Sequence, residues 1–178
     1  SAVHSTVNVD WDKLSIAIPD HDPDAEAVRA RVIGLVPDQI VTRHLVKHVP
    51  VRKGQAVADI DDDMLKLAVV ERHRGTGNVG LGFVHGLGLK RGALAGSVGH
   101  DAHNLIIAGC DDASMMTAAR AVGQLGGGLV AAVDDQVLAQ VPLPVGGLMS
   151  DQPLETVRSQ MDGLMRAAQD LGSALHDP

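Results

Sequence analysis

Short β-branched runs broken by turn residues recur along this 178-residue chain, while the three-to-four spacing of a buried helix face is confined to two stretches. Arg31 to Val36 and Ile40 to Val46 flank Pro37-Asp38-Gln39, which predicts two strands around a turn. His44 and His48 fall in the second run and read as solvent-facing strand histidines, not as a metal pair. Met64 to Val70 reads as a mostly buried strand after Asp61-Asp62-Asp63, an acidic turn taken as solvated. The eighteen residues from Gly75 to Gly92 hold seven glycines, which predicts a loop or one interrupted short helix. Strands follow near Ala93 to Val98 and at Leu105 to Ala108. Asp111 and Asp112 can cap a helix with the apolar face Met115, Met116, Ala119, Val122 and Leu125, which Gly126-Gly127-Gly128 stops. Leu129 to Val133 and Val137 to Val141 predict a hairpin with a three-residue connection. The last helix is expected from near Ser150-Asp151, with these two residues as caps and Pro153 in its first turn. Residues 1 to 30 have little periodic signal and read as a lead-in outside the core. The order of elements predicts an α+β fold, a mixed α/β sandwich with helices packed on a mixed β-sheet.

Composition narrows the function classes. With one Trp, one Phe and no Tyr, the core must be filled by Val, Leu, Ile and Ala, and base stacking has few candidates. The hydrophobic content of 45% suits one globular unit, and the chain is short for an enzyme barrel of about 250 residues. A formal net charge of -7 argues against nucleic acid as a partner. No uninterrupted apolar run approaches the roughly 18 residues of a membrane helix, so no membrane partner is expected. Cys110 is the single cysteine and excludes an internal disulfide framework; with no secretory pattern at the start, the expected compartment is the cytoplasm. Cys110 itself reads as a small core residue, since no activating base can be assigned to it.

Chemistry concentrates in Gly99-His100-Asp101-Ala102-His103-Asn104, where an apolar, glycine-punctuated run delivers four protic side chains within five positions. Two imidazoles around a carboxylate can exchange protons near neutral pH, so His100, Asp101 and His103 are the catalytic candidates and Asn104 a binding or shaping residue. Support of an interface is the bland reading of the same cluster. Glu71, Arg72 and His73 form a second candidate group for substrate binding or active-site shaping, because a strand end entering a glycine loop presents side chains to a ligand. An internal salt bridge accounts for them equally well. A metal site of His73, His100 and His103 would require the three to converge, and no metal ligand is assigned in this chain. Gly75-Thr76-Gly77-Asn78-Val79-Gly80 spells the dinucleotide fingerprint, but Gly82, Gly86, Gly88 and Gly92 would each cost the required helix about 1 kcal/mol relative to Ala. Dinucleotide binding is accordingly the weakest alternative.

Several longer segments carry a resemblance: Val32 to Thr42, Ala68 to Val84, Gly99 to Asn104, Gly126-Gly127-Gly128, and Pro142 to Ser150. In this order they are similar to the C-terminal portion of bacterial adenine deaminases of the amidohydrolase superfamily, from about Thr6 to the last helix. The resemblance implies a metal-dependent (β/α) barrel that hydrolyses adenine to hypoxanthine and ammonia in purine salvage. That barrel, with its metal-binding His-x-His strand, is absent from this sequence. On the same resemblance, residues 1–56 complete a small β domain and residues 57–178 form the C-terminal α/β domain. The implied cofactor is a divalent metal, Mn²⁺, held by the barrel, and the implied partners are adenine, the barrel domain and a homo-oligomer. The competing class is a non-catalytic interaction or oligomerisation domain.

Overall fold

Alternating burial along the strands reflects a sheet that is packed on both sides in its middle and open at one side towards its edge. The computed structural model describes residues 7–19, 22, 24–37 and 39–173. Nine strands form one mixed sheet: β1 (Ala27–Gly34), β2 (Arg43–Arg52), β3 (Gln55–Ala56), β4 (Met64–Val70), β5 (Val79–His85), β6 (Ala93–Gly96), β7 (Leu105–Gly109), β8 (Gly128–Val133) and β9 (Gln136–Pro142). Their order is β3-β2-β1-β5-β4-β7-β6-β8-β9. Every neighbouring pair is antiparallel except β1 and β5, which run parallel through Val32 opposite Phe83. Two helices, α1 (Asp112–Leu125) and α2 (Leu154–Asp170), pack on opposite faces. The expected α+β fold with helices on a mixed sheet is present.

The helix α1 forms where the sequence predicts it, because Asp111 accepts from the Ser114 backbone N–H at 2.8 Å and Gly126 closes the end at φ 74°. Its buried side, Met115, Ala118, Ala119 and Val122, packs against Ala68, Val70, Leu105, Ile107 and Val130. Small and β-branched side chains on both surfaces substitute for the missing aromatics. The opposite face carries Leu65, Leu94, Leu129 and Ala131 beneath Leu164 and Ala167 of α2 and Leu171 at its C-terminal cap.

Four expectations need correction. The glycine-rich stretch is not a loop or helix throughout, since Val79–His85 is a seven-residue strand inside the sheet. The lead-in is part of the core: Ile16 is buried, and Val9, Trp11 and Leu14 pack on the same cluster as α1. Trp11 lies where a Cβ on Gly123 would fall 2.4 Å from its ring, and Arg120 sits over that ring at 5.7 Å. Ser150 and Asp151 do not cap α2. The Ser150 hydroxyl accepts from Gln152 N–H, Asp151 accepts from the Gln152 side chain, and the Pro153 carbonyl receives Thr156 and Val157 N–H. The β8–β9 connection is two residues long, with Asp134 at φ 51°, where three residues are predicted.

The acidic turn is likewise built into the structure. Asp63 accepts from the backbone N–H of Gly86 at 3.0 Å and Gly88 at 2.7 Å, while Asp62 pairs with Lys47 at 2.8 Å. Among the described residues no helix is long and apolar enough to cross a membrane. The strands of residues 1–56 join the same sheet as the rest through the β1–β5 pairing.

Candidate functional site

Strand direction brings the candidate residues together. Because β4 runs antiparallel to both β5 and β7, its C-terminal end lies beside Val79 and Leu105. The β4–β5 loop (71–78), the β6–β7 loop (97–104), the glycines at the start of β8 and the loop after β9 therefore meet at one end of the sheet. Segments separated by up to 75 positions form one rim.

Arg72 fastens that rim from below. It is 0% exposed, and its Nε donates to the His103 carbonyl at 2.5 Å while Nη2 donates to the Gly146 carbonyl at 3.1 Å. Burial lowers its pKa from the ordinary guanidinium value. The guanidinium fills the space a Cβ on Gly147 would occupy, at 2.6 Å from Nη1, and Gly147 has φ 74°. Ser97, also buried, donates to the Gly147 carbonyl at 2.6 Å and accepts from Gly128 N–H at 2.8 Å. Gly127 comes so close to Gly147 that a Cβ would lie 2.3 Å from its Cα. Glycine is required at both positions for close approach as well as for backbone angle.

Glu71 organises the loop that follows it. Its carboxylate accepts from the backbone N–H groups of His73, Arg74 and Thr76 at 2.6 to 3.0 Å and from the Thr76 hydroxyl. The Thr76 and Arg74 amides lead in lowering its pKa from 4.5 to about 2, with burial opposing and the His73 amide and Thr76 hydroxyl adding to the shift. His73 is exposed, and its Nε2 lies 2.9 Å from the Ala102 carbonyl, so that nitrogen carries the proton that donates to it. Asn8 ties the N-terminal segment to the same corner: its backbone N–H donates to the Arg72 carbonyl and its side chain to the His73 carbonyl.

The β6–β7 loop carries the remaining candidates. His103, at φ 47°, accepts from Gly99 N–H through Nδ1 at 3.3 Å, which leaves Nε2 as the protonated nitrogen of the neutral ring. His100 and Asp101 project into solvent with side chains 90% and 105% exposed, His100 Nδ1 lying 3.7 Å from Asp101 Oδ1. The His100 and His103 rings are 5.7 Å apart. Asn104 is half-buried and lines a polar depression with Glu71, Asn78 and Gly80.

The structure thus joins the two groups of candidate residues, through Arg72 to His103 and His73 to Ala102. It turns Arg72 inward as a clamp. Asn8 and Ser97 lie outside both groups; Asn8 has no signal in its neighbourhood, whereas Ser97 sits within the glycine-punctuated run. Among the described residues no group of three His, Cys, Asp or Glu is arranged to hold a metal ion, so His73, His100 and His103 do not assemble as one. The dinucleotide reading is overturned, because the loop from Gly75 opens into β5 and supplies no helix N-terminus for a pyrophosphate. Cys110, half-buried, has its thiol pushed up to about 11, chiefly by burial and then by Asp111 and Asp63.

A family described as the adenine deaminase C-terminal domain matches residues 39–178. The chain belongs to this family. It is 52% identical over 174 residues to an adenine deaminase of Desulfatibacillum aliphaticivorans, covering 98% of this chain and 30% of that protein. To an adenine deaminase of Oleidesulfovibrio alaskensis it is 57% identical over 148 residues, 83% of this chain and 26% of the relative. With adenine deaminase 2 of Carboxydothermus hydrogenoformans the identity is 49% over 155 residues, 86% and 27%. The chain therefore spans less than a third of the length of these relatives.

Proposed function

We propose that this chain works as the C-terminal domain of an adenine deaminase, a hydrolase that converts adenine to hypoxanthine and ammonia in purine salvage in the cytoplasm. The observation that carries the reading is the meeting of the rim loops at one end of the sheet, in a chain half identical to proteins named for that activity. The (β/α) barrel of the enzyme lies in the remaining polypeptide. In this division residues 1–56 complete its small β domain and residues 57–178 form the C-terminal α/β domain, the seam being crossed by the β1–β5 pairing. Among the described residues no donor set for a divalent metal is formed; in this reading Mn²⁺ belongs to the barrel, and no step below runs through it.

Hydrolysis at an amidine carbon requires a proton for the departing amino group. In this reading His100, Asp101 and His103 face the substrate. His103 is fixed through Nδ1, so its Nε2–H is offered as a hydrogen-bond donor to the purine or the departing amino group, and Asp101 accepts a proton or binds the purine edge. Glu71, Arg72 and His73 shape the site by holding the loop that bears them, and Asn104 contributes a hydrogen-bonding wall. The test is ammonia release from adenine by the full-length polypeptide and its Asp101→Asn and His103→Ala variants. A fall of about tenfold or more in kcat/KM, 1.4 kcal/mol of transition-state stabilisation, is expected for each. Values within about threefold of the parent remove the rim from catalysis, and a parent polypeptide that releases no ammonia from adenine removes the reading itself.

The exposure of His100 and Asp101 favours one other reading, in which the rim only seats a partner surface, within the enzyme or in a homo-oligomer. Unchanged kinetics in both variants, accompanied by altered mass in sedimentation, would support it.

A further inference from the structure

The two faces of the sheet are unequally covered. One is sealed by α1 and the segment containing Val9, Trp11, Leu14 and Ile16. On the other, α2 packs on β8 and β9, whereas Ile33 of β1 and Val46 of β2 remain 43% and 47% exposed. The register lays two apolar rows across this second face: Gly82, Leu67, Ala108 and Leu94, and beside them Gly80, Val69, Ile106 and Gly96. Both rows run into a groove of about 330 Å³ beneath α2, walled by Val98, Leu129, Leu164 and Met165.

The glycines of β5 differ from those of the rim. A Cβ on Gly82 would meet no atom within 4 Å, and one on Gly80 would meet the Val69 carbonyl at 3.9 Å. Glycine in a strand interior loses more backbone entropy on folding than other residues, contributes no packing, and marks places where another backbone approaches closely. No contact within the described residues demands it here. The same face of the β1–β2 hairpin carries Arg29, Arg31, His44 and His48 and no carboxylate, in a chain of net charge -7. A surface that fits this face is apolar at its centre and acidic at its border.

From these observations we infer that the second face, from β2 across β5 and β4 to the groove under α2, docks the remaining polypeptide of the same deaminase chain. The inference rests on the functional reading above. Its occupant is indicated by length: this chain covers 26 to 30% of its matched relatives, so more than two thirds of those polypeptides lie outside it. The docked segment brings its backbone against Gly80 and Gly82, an apolar side chain into the groove, and carboxylates to Arg29 and Arg31.

Thiol labelling of the full-length polypeptide tests this, read by peptide mass at Gly82→Cys, Val46→Cys and Gln124→Cys. The last lies on the exposed side of α1, beyond the sealed face. Cys110 gives little background, with its thiol pushed up to about 11. Labelling at 82 and 46 is expected to be at least about tenfold slower than at 124, as for positions that react only on local opening, and to be independent of protein concentration. Equal rates at the three positions would overturn the inference. Protection lost on dilution would overturn it too, by giving the face to a second copy of the chain. Ammonia release measured on the same preparations separates the two claims: protected thiols without activity sink the deaminase reading and leave the docking face standing.

Discussion

The polar groups at the rim fall into two sets with opposite surroundings. Arg72 and Ser97 are withdrawn from water and bound to backbone groups of two or three different loops. His100 and Asp101, a few residues after Ser97 in sequence, stand in solvent beyond hydrogen-bond distance of each other. The buried set therefore determines the shape of the rim, and the exposed set is available for chemistry or contact. A motif containing both kinds of residue is a clamp with its working parts attached, which is why His103 belongs to each set. Its carbonyl is held by Arg72 while its Nε2 stays available.

The comparison breaks most visibly at the clamp. Arg72→Met should destabilise the domain by about 3 kcal/mol or more, because the His103 and Gly146 carbonyls lose a buried charged donor. Urea unfolding of the full-length polypeptide measures this, and a loss below about 1 kcal/mol would mean that the loops hold without the guanidinium.

A smaller, pH-dependent effect is expected at Glu71. Its folded pKa of about 2 lies below the ordinary 4.5, so its stabilising contribution is complete above 4.5 and is lost as the pH falls towards 2. Glu71→Gln should lower the thermal midpoint near neutral pH, and the gap from the parent should narrow below about pH 4.5 and close only towards pH 2, where both side chains become neutral. A gap that stays constant down to pH 2 would show that the carboxylate charge does not order the 73–76 turn. The smallest effect belongs to the solvent set: His100→Ala should shift stability by about 0.5 kcal/mol or less. A larger loss would place His100 with the buttress and erase the distinction.

Legibility in the sequence followed locality. α1 was readable because its cap, apolar face and glycine stop are all local, and the β8–β9 hairpin because both strands flank their own turn. β5 escaped because Gly80 and Gly82 resemble loop residues, although they lie on a face where no described residue packs against them. The packing of Val9, Trp11, Leu14 and Ile16 escaped because an irregular segment lying across a helix has no period to detect. At the rim, residue types announced the His100 to Asn104 loop and the Glu71 to His73 corner. Their joining through Arg72 could not be read, since it depends on strand order that brings together segments far apart in the chain. Ser97 and the Gly127–Gly147 contact were hidden for the same reason.

The contact of Trp11 with Gly123 and Arg120 also gives the chain an optical property. With one indole and no phenol ring among 178 residues, its near-ultraviolet emission comes from a single place. Detachment of the N-terminal segment from α1 would alter that emission while the sheet stayed intact, so fluorescence and far-ultraviolet dichroism should separate the loosening of this strap from the melting of the domain. The family match begins at residue 39, beyond both the strap and β1. A fragment trimmed to that match would lose the indole, the cover of α1 and the strand that links β2 to β5, although the similarity to the Desulfatibacillum aliphaticivorans protein extends over 98% of this chain.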